Sequence, residues 1–526
     1  MSIRFVRRAL GTGLGLGLWA AACAPARAPA PGPVPEARGR AGFPPVPFVD
    51  GPLQLAIRYP LPGTPRPAVD STFLFGSTGS GRARLWINGV EVPVAPNGAF
   101  LAFLPLPVDG VWRLEARRGR ERATADVAYA PPPASPPRPV MPPVDSVFPE
   151  PRWVEVIATG DTLQGGFEGV PLYPTPTDAP DRVGQLPRGA RLPVVGRRGR
   201  WYRLLWGDEV RWIPVEATLE TVPPPRGPAR WEAEPAPFGA RLRLRGAGYA
   251  PFDVRPDGAC LEVEVARPGL AVVAAATRSL PVRAAQPLMG DTLHTVWAFD
   301  LDFPVWGWRA FYDPGGDLVV DVRRPPAFDP AHPLHGLRIV LDPGHPPAGT
   351  IGPTGLTEAD ANLAVALATA QRLRAAGAEV LLTRTGPEPR ASASDPSVEL
   401  RARVAFALAA GADLYVSIHH NAFPDGTNPF VHEATEVYYY HSMGRPLATR
   451  LLDRLVQVTL LPPRGPLRRS LAVARLSWMP SVLTEAAYLM FPDVEAALRN
   501  PAFVDRLADA HARALEEAVR EGWARP

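Results

Sequence analysis

The chain has 526 residues, 68 of them Pro and 47 Gly, together about 22% of positions against a usual share of about 12%. With 46% hydrophobic and 21% charged residues it is neither collagen-like nor wholly disordered, and its length suggests roughly three to five domains joined by Pro- and Gly-rich linkers. The net charge of +4 is set against acids by Arg alone, since the chain has no Lys, and acids and bases are interspersed rather than gathered on one basic face, which argues against nucleic-acid binding.

Arg4, Arg7 and Arg8 precede an uncharged stretch, Ala9 to Ala22, long enough for an export signal and short of the ~20 residues of a spanning helix. Residues 1–23 are therefore expected to be a signal peptide. Ala20-Ala21-Ala22-Cys23 resembles a bacterial lipobox with Cys23 as the lipidated residue and the point of membrane attachment. Cleavage after an Ala-x-Ala site is the other reading, and Arg7-Arg8 fits a twin-arginine signal poorly. Either way the protein is expected outside the cytoplasm, in the periplasm or cell envelope. The second and last Cys, Cys260, leaves no disulfide framework and is expected to be a small buried hydrophobe.

Eight of residues 23–50 are Pro, and 24–47 reads as an extended stalk. Residues 48–130 alternate apolar and polar positions around Asn88-Gly89 and Asn97-Gly98, two hairpin signals, and resemble the immunoglobulin-like β modules of bacterial surface enzymes. A second Pro-rich linker is expected at 131–150. Residues 151–222 resemble an SH3-like barrel through Gly199, Trp201, Tyr202, Gly207, Trp212 and Ile213, whose aromatics are read as core rather than as a binding groove. Residues 223–330 alternate again and form a further β-rich module, for which position in the chain suggests a wall-binding role.

From His335 strands and amphipathic helices alternate. Strands are expected at 337–341, 379–383, 413–419, 435–440 and 481–486, and helices near 360–376, 398–410, 445–458 and 501–521. The fold class is thus multidomain: a C-terminal α/β catalytic domain at 335–526, with a mostly parallel sheet flanked by helices, preceded by all-β modules. In such sheets sites form beyond the C-terminal strand ends. His345 follows the first strand, Glu358 precedes the first helix, His419 ends the strand DLYVSIH and Glu485 closes SVLTE. Two imidazoles and a carboxylate are donors that zinc prefers, and three protein ligands leave a position open for chemistry.

DPGH at 342–345, GLTEADANL at 355–363, TRT at 383–385, LRARV at 400–404, GADLYVSIHHNA at 411–422, TEVYYY at 435–440 and SVLTEAAYL with PDVEAAL at 481–498 occur in order. Together they resemble the zinc-dependent N-acetylmuramoyl-L-alanine amidases of the cell-wall type. The resemblance implies Zn2+ held by His345, Glu358 and His419, Glu485 as the catalytic carboxylate, and peptidoglycan as substrate. It leaves a protein activator open. Two positions depart from the pattern: Pro346-Pro347 replaces the usual Gly-Gly, and Glu485-Ala486-Ala487-Tyr488 replaces Glu-x-Gly-Phe. Strand alternation turns His420 away from His419 and excludes it. His432 and Glu433, in the long loop Phe423 to Ala434, are read as solvated. Two rival readings are an inactive envelope scaffold and a zinc peptidase cutting within stem peptides.

Overall fold

A computed structural model of the chain describes residues 40–522 except 131–144, 158–160, 165–166, 178–181, 207–208, 224–227, 267–270, 274–280, 291–293, 347–348 and 392–395. The expected signal, Cys23 and most of both Pro-rich linkers lie outside the described residues, as does Pro347. No helix among the described residues is long and apolar enough to cross a membrane.

Three β segments come first. Strands between Ala56 and Ala128 form a three-stranded and a four-stranded antiparallel sheet. In Val111–Arg118, Trp112, Leu114 and Ala116 are buried and their neighbours are not, the period of a strand with one wet face. The second segment, from Asp145 to Thr221, pairs a five-stranded with a three-stranded sheet; its first strand, Asp145–Val156, begins inside the expected linker. Trp201, Tyr202 and Trp212 are buried there. The third, from Pro228 to Arg323, again has two sheets, of five and four strands. Cys260 is a free, half-buried thiol rather than a fully buried one.

The C-terminal domain holds one six-stranded sheet. Its strands are β1 (Arg338–Pro343), β2 (Glu379–Leu382), β3 (Leu414–Asn421), β4 (Thr435–Tyr439), β5 (Pro463–Arg468) and β6 (Ser481–Tyr488), in the order β2-β1-β3-β6-β4-β5. The first four in that order run parallel; β4 is antiparallel to β6 and parallel to β5. The helices are α1 (Glu358–Ala375), α2 (Pro396–Ala409), α3 (Pro429–His432), α4 (Arg445–Thr459), α5 (Pro492–Leu498) and α6 (Pro501–Gly522). Strand alternation divides the core in two. Ile339, Leu341, Val416, Ile418 and Val482 pack with residues of α1, α4 and α6, while Val340, Tyr415 and Leu483 pack with Val404 and Ala407 of α2. Both faces are covered, which is why these strands read as continuous apolar runs.

Strand β5 was not foreseen, because PRGPLR carries two Pro and a Gly; it survives as an edge strand, where a missing N–H costs no ladder bond. The described end of the first Pro-rich stretch is not a stalk. Phe43 is only 7% exposed and lies 5.4 Å from the Phe503 ring of α6, since an aromatic side chain in such a tract gains by burial where Pro and Arg do not. The third β segment meets the domain at the N-terminal end of β3: Trp306 Nε1 donates to the Asp413 carbonyl at 2.8 Å and Arg323 ion-pairs with the Asp413 carboxylate.

Candidate active site

The strand ends assemble the predicted residues. His345 lies two residues beyond β1, His419 is the third residue from the end of β3, and the register sets His419 opposite Glu485 on β6. Glu358 opens α1, whose first turn is fixed by Thr357: its hydroxyl accepts the Asp360 N–H at 3.1 Å, an N-cap bond. A side chain in that turn points back toward the helix N-terminus, and here it reaches the two imidazoles. His419 Nδ1 is 3.0 Å from Glu358 Oε1, and His345 Nε2 is 3.3 Å from Oε2. One donor atom from each of the three lies within 4.8 Å of the others. Burial disfavours the Glu358 charge, but hydrogen bonds from His345 and His419 outweigh it and hold the carboxyl well below the usual carboxylate range. The backbone is shaped for this approach. A Cβ at Gly344 would stand 2.1 Å from His419 Cε1, so only Gly fits, and His345 itself takes φ 59, in the left-handed region that L residues seldom occupy.

Glu485 is half-buried, and its Oε2 is a buried atom with no hydrogen-bond partner among the described residues. Burial, followed by the charges of Glu358 and Glu436, pushes its carboxyl well above the usual range. An unbonded carboxylate with a raised proton affinity, beside a convergent His/Glu/His set, is suited to move a proton.

Glu436 was not singled out from the sequence. It pairs in register with Glu485 across β4 and β6, is 2% exposed, and is fully engaged. Tyr488 Oη donates to it at 3.0 Å, Asn421 Nδ2 at 3.1 Å and Arg464 Nη1 at 2.8 Å, and Tyr438 Oη also donates. It ties the last residue of β3 to the last of β6. The signal was present in the departure at Tyr488, since the hydroxyl a Phe lacks is the one that meets Glu436.

Further support lies behind the His/Glu/His set. Asp342 is fully buried and accepts from Thr383 at 2.6 Å, Ser417 at 2.7 Å and Arg403 at 3.1 Å. Burial opposes its charge, yet Arg403 and the hydroxyls keep its carboxyl below the ordinary range. Arg403 also donates to the Pro346 carbonyl at 3.0 Å, and Arg384 to those of Pro343 and Gly344, both at 3.0 Å, fixing the turn that carries His345. His420 turns away from the site and pairs with Asn362 at 2.8 Å; its backbone N–H lies 3.3 Å from Glu358 Oε1. Burial pushes its imidazole down to about 4. His432 is exposed, as expected, but Glu433 is not solvated: it ion-pairs with Arg40.

Residues 339–517 match the family described as N-acetylmuramoyl-L-alanine amidase. Over 185 residues the chain is 32% identical to the N-acetylmuramoyl-L-alanine amidase LytC of Bacillus subtilis, covering 34% of this chain and 35% of that one. Over 221 residues it is 31% identical to the probable cell wall amidase LytH of Staphylococcus aureus, covering 41% and 65% respectively. The chain thus spans about a third and about two thirds of the lengths of these curated relatives. The solved structure of N-acetylmuramoyl-L-alanine amidase AmiC2 of Nostoc punctiforme is 31% identical, with a TM-score of 0.30, over 34% of this chain and 94% of that one. On its family match and its relatives, the C-terminal domain of this chain belongs to the N-acetylmuramoyl-L-alanine amidases.

Proposed function

We propose that this chain is an exported, zinc-dependent enzyme that hydrolyses the amide between N-acetylmuramic acid and L-alanine in peptidoglycan. The observation that carries the reading is the convergence of His345, Glu358 and His419, with the unbonded carboxylate of Glu485 in register with His419. Two imidazoles and one carboxylate suit zinc and leave a position open for chemistry. When bound, zinc supplies Lewis acidity: a hydroxide-like nucleophile at neutral pH and polarisation of the scissile carbonyl.

The chain's own residues do the rest. Glu485 takes the proton of the attacking water and delivers it to the leaving amine, which would otherwise depart as an unstable anion. Glu436 holds the ends of β3 and β6 together, so that the metal-ligand set and the proton carrier keep their spacing. The preceding segments are read as an immunoglobulin-like module, an SH3-like barrel and a wall-binding module. Residues 1–23 are read as the export signal, with Cys23 as a lipid attachment point. Glu485→Gln should retain one zinc per chain by metal analysis while losing about 10²- to 10⁴-fold in turnover; near-normal turnover would sink the assignment.

A further inference from the structure

The loop between β3 and β4, residues 422–434, has an unusual course. In the sheet order β6 lies between β3 and β4, β3 is parallel to β6, and β4 runs antiparallel to it. A chain that leaves the C-terminal end of β3 and enters β4 at the same end must therefore arch across the C-terminal end of β6, where Glu485 and Tyr488 sit. The arch rests on that strand: the Phe423 ring stacks on Tyr488 at 3.9 Å and 11°.

What holds the arch in place is the first β segment. Asp425 accepts from Tyr59 Oη at 2.6 Å and from Thr72 Oγ1 at 2.5 Å. Both hydroxyls stand on the three-stranded sheet of that segment. A Cβ at Gly426 would stand 2.8 Å from Val69 Cγ1, so the Val69 side chain packs directly on the Gly426 backbone. At the far end of the arch Arg40 ion-pairs with Glu433 and also reaches Asp493 of α5 at 2.6 Å. Phe73, Phe75 and Leu101 of the same sheet are buried in one cluster with the core of the C-terminal domain. The contact is apolar at its centre and charge-assisted at both ends of the loop, the composition of a permanent rather than a sliding contact.

We propose that the first β segment, together with Arg40 in the stretch that precedes it, is a working part of the amidase site: Tyr59, Thr72 and Arg40 are positioning residues that hold loop 422–434 over the Glu485 strand and so set how substrate enters. The inference rests on the amidase reading for its kinetic consequence but not for its structural one. Ordering a loop before binding spares that entropy at the moment of binding, so loosening it should act on KM. A merely destabilised enzyme would instead lose active fraction and hence apparent kcat.

The test uses the full chain with Asp425→Asn and, separately, the double variant Tyr59→Phe with Thr72→Val. Amide hydrogen exchange is followed at 422–434, alongside zinc content and kinetics on purified sacculi. Expected is about a 10-fold faster exchange confined to 422–434, unchanged zinc content, KM raised about threefold to tenfold, and kcat per bound zinc within twofold. Unchanged exchange in both variants would overturn the clamp. Faster exchange with an unaltered KM would overturn its role in substrate entry. A wild-type chain that leaves sacculi intact, while the variants still exchange faster, would remove the amidase reading and leave the clamp standing.

Discussion

Strand β3, which carries His419, is gripped at both ends by segments that precede the catalytic domain, and the two grips differ in kind. At its N-terminal end the third β segment supplies Arg323 and Trp306 to Asp413 and its carbonyl. A backbone amide closes the set, with Arg338 N–H donating to Asp413 Oδ2 at 2.8 Å. At the C-terminal end the first β segment supplies Tyr59 and Thr72 to Asp425, four residues past the strand. The lower grip, at Asp413, holds the end of β3 remote from His419; the upper one holds the loop whose Phe423 stacks on Tyr488 at the end of β6. A buried bond at the inactive end of a sheet can stabilise without tuning, whereas one at the active end does both.

The sharpest way to break this contrast is Glu436→Gln, at the active end and not in contact with the first segment. It removes the charge that Arg464, Asn421, Tyr438 and Tyr488 converge on. A loss of about 2 kcal/mol in charge-assisted bonding predicts kcat down about 30-fold with zinc retained, read from initial rates and metal content. An unchanged kcat would show that the strand ends keep their spacing without it.

Arg323→Met is the matching change at the inactive end. Asp413 is left without its ion-pair partner near the surface of a packed junction, at a cost of about 2 kcal/mol. The expected result is a lower unfolding midpoint with kcat within twofold of wild type. A proportionate fall in kcat at full folding would mean the two ends are coupled and the contrast false.

The effect that is smallest near neutrality is on pH dependence. Burial pushes His441 down to about 3 and His511 to about 4. His441 lies against Trp308 of the lower junction, with ring centroids 5.4 Å apart, and His511 beneath β6, 3.2 Å from Thr484 Oγ1. Both are neutral when folded, against about 6.5 when unfolded, so the unfolded chain binds protons that the folded one refuses. Stability is therefore full above pH ~6.5 and falls as pH drops through the window down to about 4 for His511 and about 3 for His441, by about 0.7 kcal/mol per group between pH 7 and pH 6. Denaturant midpoints measured across that range should decline with acid; a flat profile from pH 7 to pH 4 would place both rings in contact with water.

Much of the catalytic domain was legible in the sequence because its elements are long and periodic. The runs LRIVL and DLYVSIH became β1 and β3, and His345, Glu358, His419 and Glu485 were brought to one end of the sheet. Strand β5 was hidden because its backbone pairs on one side only and needs no β-forming residues. Glu436 was hidden because a buried carboxylate is identified by its partners, and Arg464, Asn421 and Tyr488 are distant from one another in the chain. The docking of Phe43 was hidden because Pro-rich composition describes a tract and not the one aromatic residue within it.

The decisive property of the enzyme is which bond it cuts. Purified sacculi digested with the full-length chain, and the soluble and insoluble products weighed by mass spectrometry, give the most direct answer. Intact stem peptides with a free L-alanine amino terminus, released from unbroken glycan, are the predicted products. Shortened stems still attached to N-acetylmuramic acid would contradict the account and assign the same site to a peptidase.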